Sequence, residues 1–294
     1  MPSRKTVGFA AGLRARPAVI AMLHAPPLPG SARAAGGLAA LVARVVADAR
    51  AAAAGGADAL LLENYGDAPF VADRVGPHVI AAMAVIAASV RAAVALPLGV
   101  NVLRNDARAA LAVAHTAGGA FVRVNVLAGL VATDQGLLAG EAERVLAYRA
   151  RLGAARALSV LADVDVKHGR PLWGATIGDR AQDLVERAGA DGLIVTGAAT
   201  GRPPARADLE AARAACPAAP LLVGSGLTPD SARELLGLAD GAIAGTALKR
   251  GGAIEAPIDT ARVRELVRAA EAAWGGRESR RGRESRRLSR RGTR

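Results

Sequence analysis

Sulfur, lysine and aromatic rings are scarce in this 294-residue chain, which has one cysteine, three lysines and seven aromatic side chains. The single Cys216 excludes an intrachain disulfide framework and any multi-thiolate metal site, and it fits a reducing, cytoplasmic setting. Long hydrophobic runs are missing as well. The longest uncharged apolar stretch in the middle of the chain, 79 to 90, is far short of the ~20 residues that cross a bilayer, so no membrane span is expected. Walker A and G-x-G-x-x-G patterns are absent, which weakens nucleotide-triphosphate and dinucleotide readings, and no metal-ligand spacing such as H-E-x-x-H occurs.

What is present is apolar mass: 52% of residues are hydrophobic and 22% charged, a composition that can bury a core. The formal net charge of +12 is unevenly spread. Residues 275–294 hold nine arginines and two glutamates, +7 of the total, and repeat G-R-E-S-R-R at 276–281 and 282–287. With almost nothing to bury, this segment is expected to be a disordered, low-complexity basic tail behind a folded unit at 17–274. It has no aromatic ring for base stacking, so nonspecific phosphate contacts are the most it offers to nucleic acid.

In the remaining chain, short apolar runs alternate with longer Ala, Leu and Arg segments at helical spacing. The expected strands are Ala18 to Leu23, Ala59 to Glu63, Leu98 to Leu103, Ala120 to Val126, Ala157 to Val166, Gly192 to Thr196, Leu221 to Gly224 and Gly241 to Gly245. Asp106 and Thr228-Pro229 are placed to start helices, whereas Gly55-Gly56 and Gly118-Gly119 are placed to stop them. Eight such pairs without a linker predict an α/β fold, a single (β/α)8 TIM barrel.

Alternation along the strands then sorts side chains. Val122, Val124, Val126, Val164 and Val166 should meet the outer helices, while Arg123, Asn125, Asp163, Asp165 and Lys167 should point inward near the C-terminal mouth. Asn101, Glu63, Asn64, Asp67 and Thr196 join them, along with Arg104 and Asn105 just beyond strand three. A lysine can lose its proton whereas an arginine cannot, so Lys167 beside Asp163 is the leading catalytic pair, with Glu63, Asp67 and His168 as further acid or base candidates. His24 stands at the same rim. The G-S-G run Gly224, Ser225, Gly226 and the pair Gly245, Thr246 end strands seven and eight, where glycine-bearing loops bind phosphate in many such barrels; Lys249 follows them. Asp, Glu and His at the rim leave a divalent metal such as Mg²⁺ open.

Several runs resemble one known family: M-L-H-A-P-P-L-P-G at 22–30, E-N-Y-G-D-A-P-F at 63–70, P-L-G-V-N-V-L-R-N-D-A at 97–107 and F-V-R-V-N-V at 121–126. T-D-Q-G at 133–136, A-D-V-D-V-K-H at 162–168, V-T-G-A-A-T-G at 195–201, V-G-S-G at 223–226 and G-T-A-L-K at 245–249 continue the series in order. The chain is identified by them as a member of the BtpA/SgcQ family of ribulose-phosphate-binding-like barrels. That resemblance implies two readings. One is an isomerase or aldolase-type lyase acting on a phosphorylated sugar or nucleotide-like ligand; the other is a biogenesis factor for a membrane complex such as photosystem I. A homo-oligomer is expected. The Arg-rich tail is not part of the family pattern.

Overall fold

The computed structural model describes residues 8–14, 18–172, 176–197, 199 and 201–291, with side chains as far as 275. The expected barrel start at 17, positions 198 and 200 of the V-T-G-A-A-T-G run and the side chains of the basic tail lie outside the described residues. In chain order the first half comprises α1 (Gly8–Gly12), β1 (Ala18–His24), α2 (Leu38–Ala54), β2 (Ala59–Glu63), α3 (Pro77–Ala93), β3 (Leu98–Asn101), α4 (Ala107–Thr116) and β4 (Phe121–Val124). Then come β5 (Leu130–Thr133), β6 (Gly136–Ala139), α5 (Ala142–Arg151), β7 (Ser159–Asp163), β8 (Gly169–Pro171), α6 (Ile177–Gln182), β9 (Gly192–Val195), α7 (Arg206–Ala215), β10 (Leu221–Val223), α8 (Pro229–Leu235), β11 (Gly241–Ala244) and α9 (Thr260–Arg291).

All eight expected strands form. They pair in parallel and close as a barrel in the order β1-β11-β10-β9-β7-β4-β3-β2. Strands buried on both faces must be apolar on both, which is why they appear as continuous Val, Leu, Ile and Ala runs rather than strict alternations. One parity faces outward: Val19, Leu60, Leu62, Val122, Val124, Val160 and Val223 pack with helix residues such as Val45, Met83, Ile86 and Leu209. The other parity fills the barrel with Ile20, Met22, Leu61, Phe121, Leu161, Ile194, Leu222 and Ile243. Gly99 occupies an inward position because Phe121 fills its space; a Cβ there would lie 2.2 Å from Phe121 Cε2.

The helix boundaries obey local chemistry. Asp106 accepts the Ala109 N–H at 2.9 Å to start α4, and Thr228 forms a reciprocal capping box with Ser231 ahead of Pro229 at α8. The backbone helix of α9 continues past 275 into the Arg-rich segment that the sequence sets apart as a tail. No helix among the described residues is long and apolar enough to cross a membrane.

Two additions are invisible in the eightfold pattern. Helix α1 closes the N-terminal end of the barrel: Phe9 stacks on Phe121 with centroids 4.4 Å apart, and the Ala10 N–H donates to Ser159 Oγ at 3.1 Å. Strands β6, β5 and β8 form a separate antiparallel sheet, in that order, from the loops that follow β4 and β7. This sheet corrects two expectations. Val126 and Val166 pack with Val131 and Leu138 of the sheet instead of with outer helices. Asp165 faces away from the axis, because Arg180 of α6 donates to both its carboxylate oxygens at 2.8 and 2.7 Å.

Candidate functional site

Following the inward parity up each strand, apolar residues give way to polar ones at the C-terminal end. Ile20 and Met22 lead to His24, Leu61 to Glu63, Phe121 to Arg123 and Asn125, Leu161 to Asp163, and Ile194 to Thr196. On β10 and β11 the same parity leads from Leu222 and Ile243 to Gly224 and Gly245, which carry no side chain. The strands therefore end in a mouth with charge on one part of the rim and bare backbone on another. A cavity of about 430 Å³ occupies it.

Twelve of the residues singled out from the sequence line that cavity: His24, Glu63, Arg104, Arg123, Asn125, Lys167, His168, Gly224, Ser225, Gly226, Gly245 and Thr246. Strand order fixes how they face one another. In the closed barrel β10 lies across the axis from β3, and β11 lies across from β4. The glycine-bearing loops thus look toward Arg104, which follows β3, and toward Arg123 and Asn125, which end β4.

The floor is a hydrogen-bonded network. Arg123 donates to both oxygens of Asp163 at 3.0 and 2.9 Å, and Asn125 Nδ2 donates to Asp163 Oδ2 at 2.8 Å. Asp163 is 2% exposed and does not line the cavity. Its carboxylate holds Arg123 and Asn125 in place, and the carboxylate that shares the cavity wall with Lys167 among the expected residues is Glu63. Glu63 Oε2 accepts from Asn101 Nδ2 at 2.6 Å, and its Oε1 stands 4.0 Å from His24 Nε2.

Burial and neighbouring cations tune the titrating groups. Desolvation, reinforced by Arg123, lowers the Lys167 amine to about 8 against the partial opposition of Glu63 and Asp163. Desolvation, then Lys249, Lys167 and Arg123, lowers His24 to about 3, so its imidazole is neutral at physiological pH. Burial raises the cost of charge on Arg123 too, but contact with Asp163 outweighs it and holds that guanidinium above its ordinary value.

Besides Asp165, seven of the expected site residues lie off the cavity wall. Asp163 and Asn101 are in the floor, as above. Asp67 accepts the Leu28 N–H at 2.8 Å and Asn64 Nδ2 at 3.0 Å, while Asn64 Oδ1 accepts the Leu103 N–H at 2.7 Å, so this pair knits the loops after β1, β2 and β3. Asn105 does the same for the loops after β3 and β4, exchanging two hydrogen bonds with the Val126 backbone. Thr196 Oγ1 donates to the Asp165 carbonyl at 2.8 Å. Lys249 turns out of the mouth altogether: its ammonium donates to Asp48 Oδ2 of α2 at 3.0 Å, and Asp48 also accepts the Ile258 N–H. An ion buried that deeply needs its partner, which explains the direction it takes.

The glycine loops are braced from below. Ser225 Oγ donates to the Arg202 carbonyl at 2.7 Å and accepts the Gly197 N–H at 3.3 Å, tying the loop after β10 to the loop after β9. Gly226 has φ +71°, and a Cβ there would lie 2.1 Å from Pro203 N, so only glycine fits. The cavity is also lined by Tyr65, Phe70, Asp134, Gln135 and Gly201, none of which stands out in the sequence as a site residue, and by the apolar Met22, Leu103, Val166 and Ile243. Tyr65 tilts against His24 at 4.8 Å, and the Thr133–Gly136 turn between β5 and β6 brings in Asp134 and Gln135. Two aromatics in a loop straight after a strand, in a chain with seven, were the available signal for the first pair. Among the described residues, no three His, Cys, Asp or Glu side chains come together in an arrangement that could hold a metal.

Fold and mouth together define a single closed (β/α)8 barrel with a cation-rich cavity at the C-terminal ends of its strands. The sequence profile of the BtpA family matches residues 15–272, and the chain belongs to that family. It is 45% identical over 251 residues to the photosystem I biogenesis protein BtpA of Synechocystis, covering 85% of this chain and 87% of that one. A Pyrococcus furiosus protein is 40% identical over 250 residues, with 85% and 93% coverage. Similar solved structures include a native KDPGal structure, with TM-score 0.53, 17% identity and coverage of 87% and 95%. N-(5'-phosphoribosyl)anthranilate isomerase from Pyrococcus furiosus has TM-score 0.54, 12% identity and coverage of 87% and 100%. At such identities the structural likeness concerns the fold alone.

Proposed function

We propose that this protein is an enzyme acting on a phosphorylated small molecule, with acid–base chemistry of the isomerase or aldolase-type lyase kind. The observation that carries this reading is one cavity that holds an amine lowered to about 8 and, on another part of its wall, the glycine-bearing ends of β10 and β11. Backbone N–H groups at such loops approach an anion closely because no Cβ intervenes. Ser225, Gly226, Gly245 and Thr246 would hold the phosphate, while the Gly224 N–H donates to the Val195 carbonyl at 2.8 Å and anchors the start of the loop. Lys167, partly neutral near pH 8, would act as general base or as the amine that adds to a substrate carbonyl. Glu63 returns the proton, and Arg104 and Arg123 supply positive potential where negative charge develops.

Thermal unfolding with phosphate esters and their dephosphorylated counterparts tests this. A phosphorylated binder present at ~100 times its dissociation constant should add ~2.7 kcal/mol of stability, and its dephosphorylated counterpart nothing comparable. No response to any phosphate ester would contradict the reading.

The relationship to the Synechocystis protein supports a second reading, a factor that assists assembly of a membrane complex. Its natural contact surface is the outer face of the three-stranded sheet, where Leu137 is 62% exposed, with Leu172, 51% exposed, just beyond β8. Under that reading, Leu137→Asp abolishes capture of membrane subunits and Lys167→Ala does not.

A further inference from the structure

Four cationic side chains in the described protein are less than a tenth exposed: Arg104, Arg123, Arg149 and Lys249. Three are matched to carboxylates, Arg123 to Asp163, Arg149 to Asp191 and Lys249 to Asp48. Arg104 alone has no carboxylate partner among the described residues. Its hydrogen bond runs from Nη2 to the Lys167 carbonyl at 2.5 Å, while a guanidinium offers five N–H donors in a planar fork. It is 7% exposed and lines the cavity. Burial lowers its pKa, the more distant Asp163, Glu63 and Asp134 offsetting this only in part. A buried cation without a counter-ion is costly, so the site is incomplete until an anion arrives there.

The position of Arg104 separates this anion from the phosphate. Arg104 follows β3, and β3 stands across the barrel from β10, whose end carries Gly224 to Gly226. Between them Asn125 adds a second requirement. Asp163 accepts from Asn125 Nδ2, which fixes the amide orientation and leaves Oδ1 as an acceptor, buried and without a donor among the described residues. Asn125 is 4% exposed and lines the same cavity. Its vacant acceptor suits a hydroxyl group.

We propose that the ligand is a phosphorylated hydroxy acid with two separate anionic groups, its phosphate on the glycine loops, its hydroxyl donating to Asn125 Oδ1 and its carboxylate on the Arg104 fork. This rests on the phosphate reading above and names the substrate class within it. A carboxylate fits better than a second phosphate. Arg123 is already neutralised by Asp163, so Arg104 contributes about one uncompensated charge, which balances a carboxylate and not a phosphate dianion. The planar fork also matches two carboxylate oxygens.

Calorimetric titration of the full chain with three hexose-derived compounds tests this: 6-phosphogluconate, glucitol 6-phosphate, in which CH₂OH replaces the carboxylate, and glucitol 1,6-bisphosphate. 6-Phosphogluconate should bind at least about tenfold tighter than glucitol 6-phosphate. Arg104→Gln should reduce that ratio to near one, and Arg104→Lys should restore only part of it, with circular dichroism confirming that both variants fold. If the variants do not fold, the ratio in the unmodified protein decides alone. Equal binding of the acid and the alcohol overturns the second anion subsite while leaving the phosphate reading intact. Tighter binding of the bisphosphate than of the acid overturns the carboxylate. Absence of binding by all three overturns both proposals.

Discussion

Two pairs of aromatic rings mark the opposite ends of the barrel, and they are used in opposite ways. At the N-terminal end Phe9 stacks on Phe121 and closes the axis, with Ala10 and Leu13 packed beside them. At the C-terminal end Tyr65 and Phe70 stand at the rim beside His24 and leave the axis open as a cavity. The same strands supply both ends. Their inward positions are apolar where packing is complete and polar where Arg104, Asn125 and His24 Nδ1 remain partly or wholly unsatisfied. One end of the barrel is built for stability and the other retains unmet hydrogen-bonding and charge requirements that a ligand can meet.

The division can be broken by exchanging the two effects. Lys167→Ala should reduce turnover of any phosphate ester that stabilises the protein by ~10²–10⁴-fold, with little change in melting temperature, as steady-state kinetics beside calorimetry would show. Full turnover by that variant removes Lys167 from the chemistry. Phe121→Ala at the closed end should cost about 3–5 kcal/mol in denaturant unfolding and leave the stabilisation by a phosphate ester intact. A smaller effect follows from pH. Since the folded amine of Lys167 titrates near 8 and an ordinary one near 10.5, the unfolded chain binds more protons between those values, and native stability rises with pH across that window. Lys167→Met removes the buried ammonium, so its stabilising effect should be largest below pH 8 and fade toward pH 10.5.

Much of this organisation was legible in the sequence because a barrel strand is a short buried run whose parity carries over from one strand to the next. Arg123, Asn125 and Lys167 could be placed at the mouth from alternation and position alone. Other features depend on contacts that no local pattern encodes. Lys249 follows a strand just as Lys167 does, yet Asp48, 201 residues away, captures it. The strands β5, β6 and β8 span only three or four residues each and pair across separate loops, too short for periodicity to register. Asp163 reads from sequence as the catalytic partner of Lys167, but only the three-dimensional network shows both its oxygens committed to Arg123 and Asn125. Helix α1 precedes the repeating units, so the pattern that revealed the barrel could not reveal its plug.

The scarcity of lysine makes the ionisation of Lys167 directly measurable. Protein labelled with ¹⁵N at lysine Nζ carries only three such groups, Lys5, Lys167 and Lys249, and Lys167→Arg identifies the signal of interest by its loss. This signal is expected to titrate near pH 8 and to shift when glucitol 6-phosphate is added. A titration above pH 10 with no response to the phosphate ester would contradict this expectation.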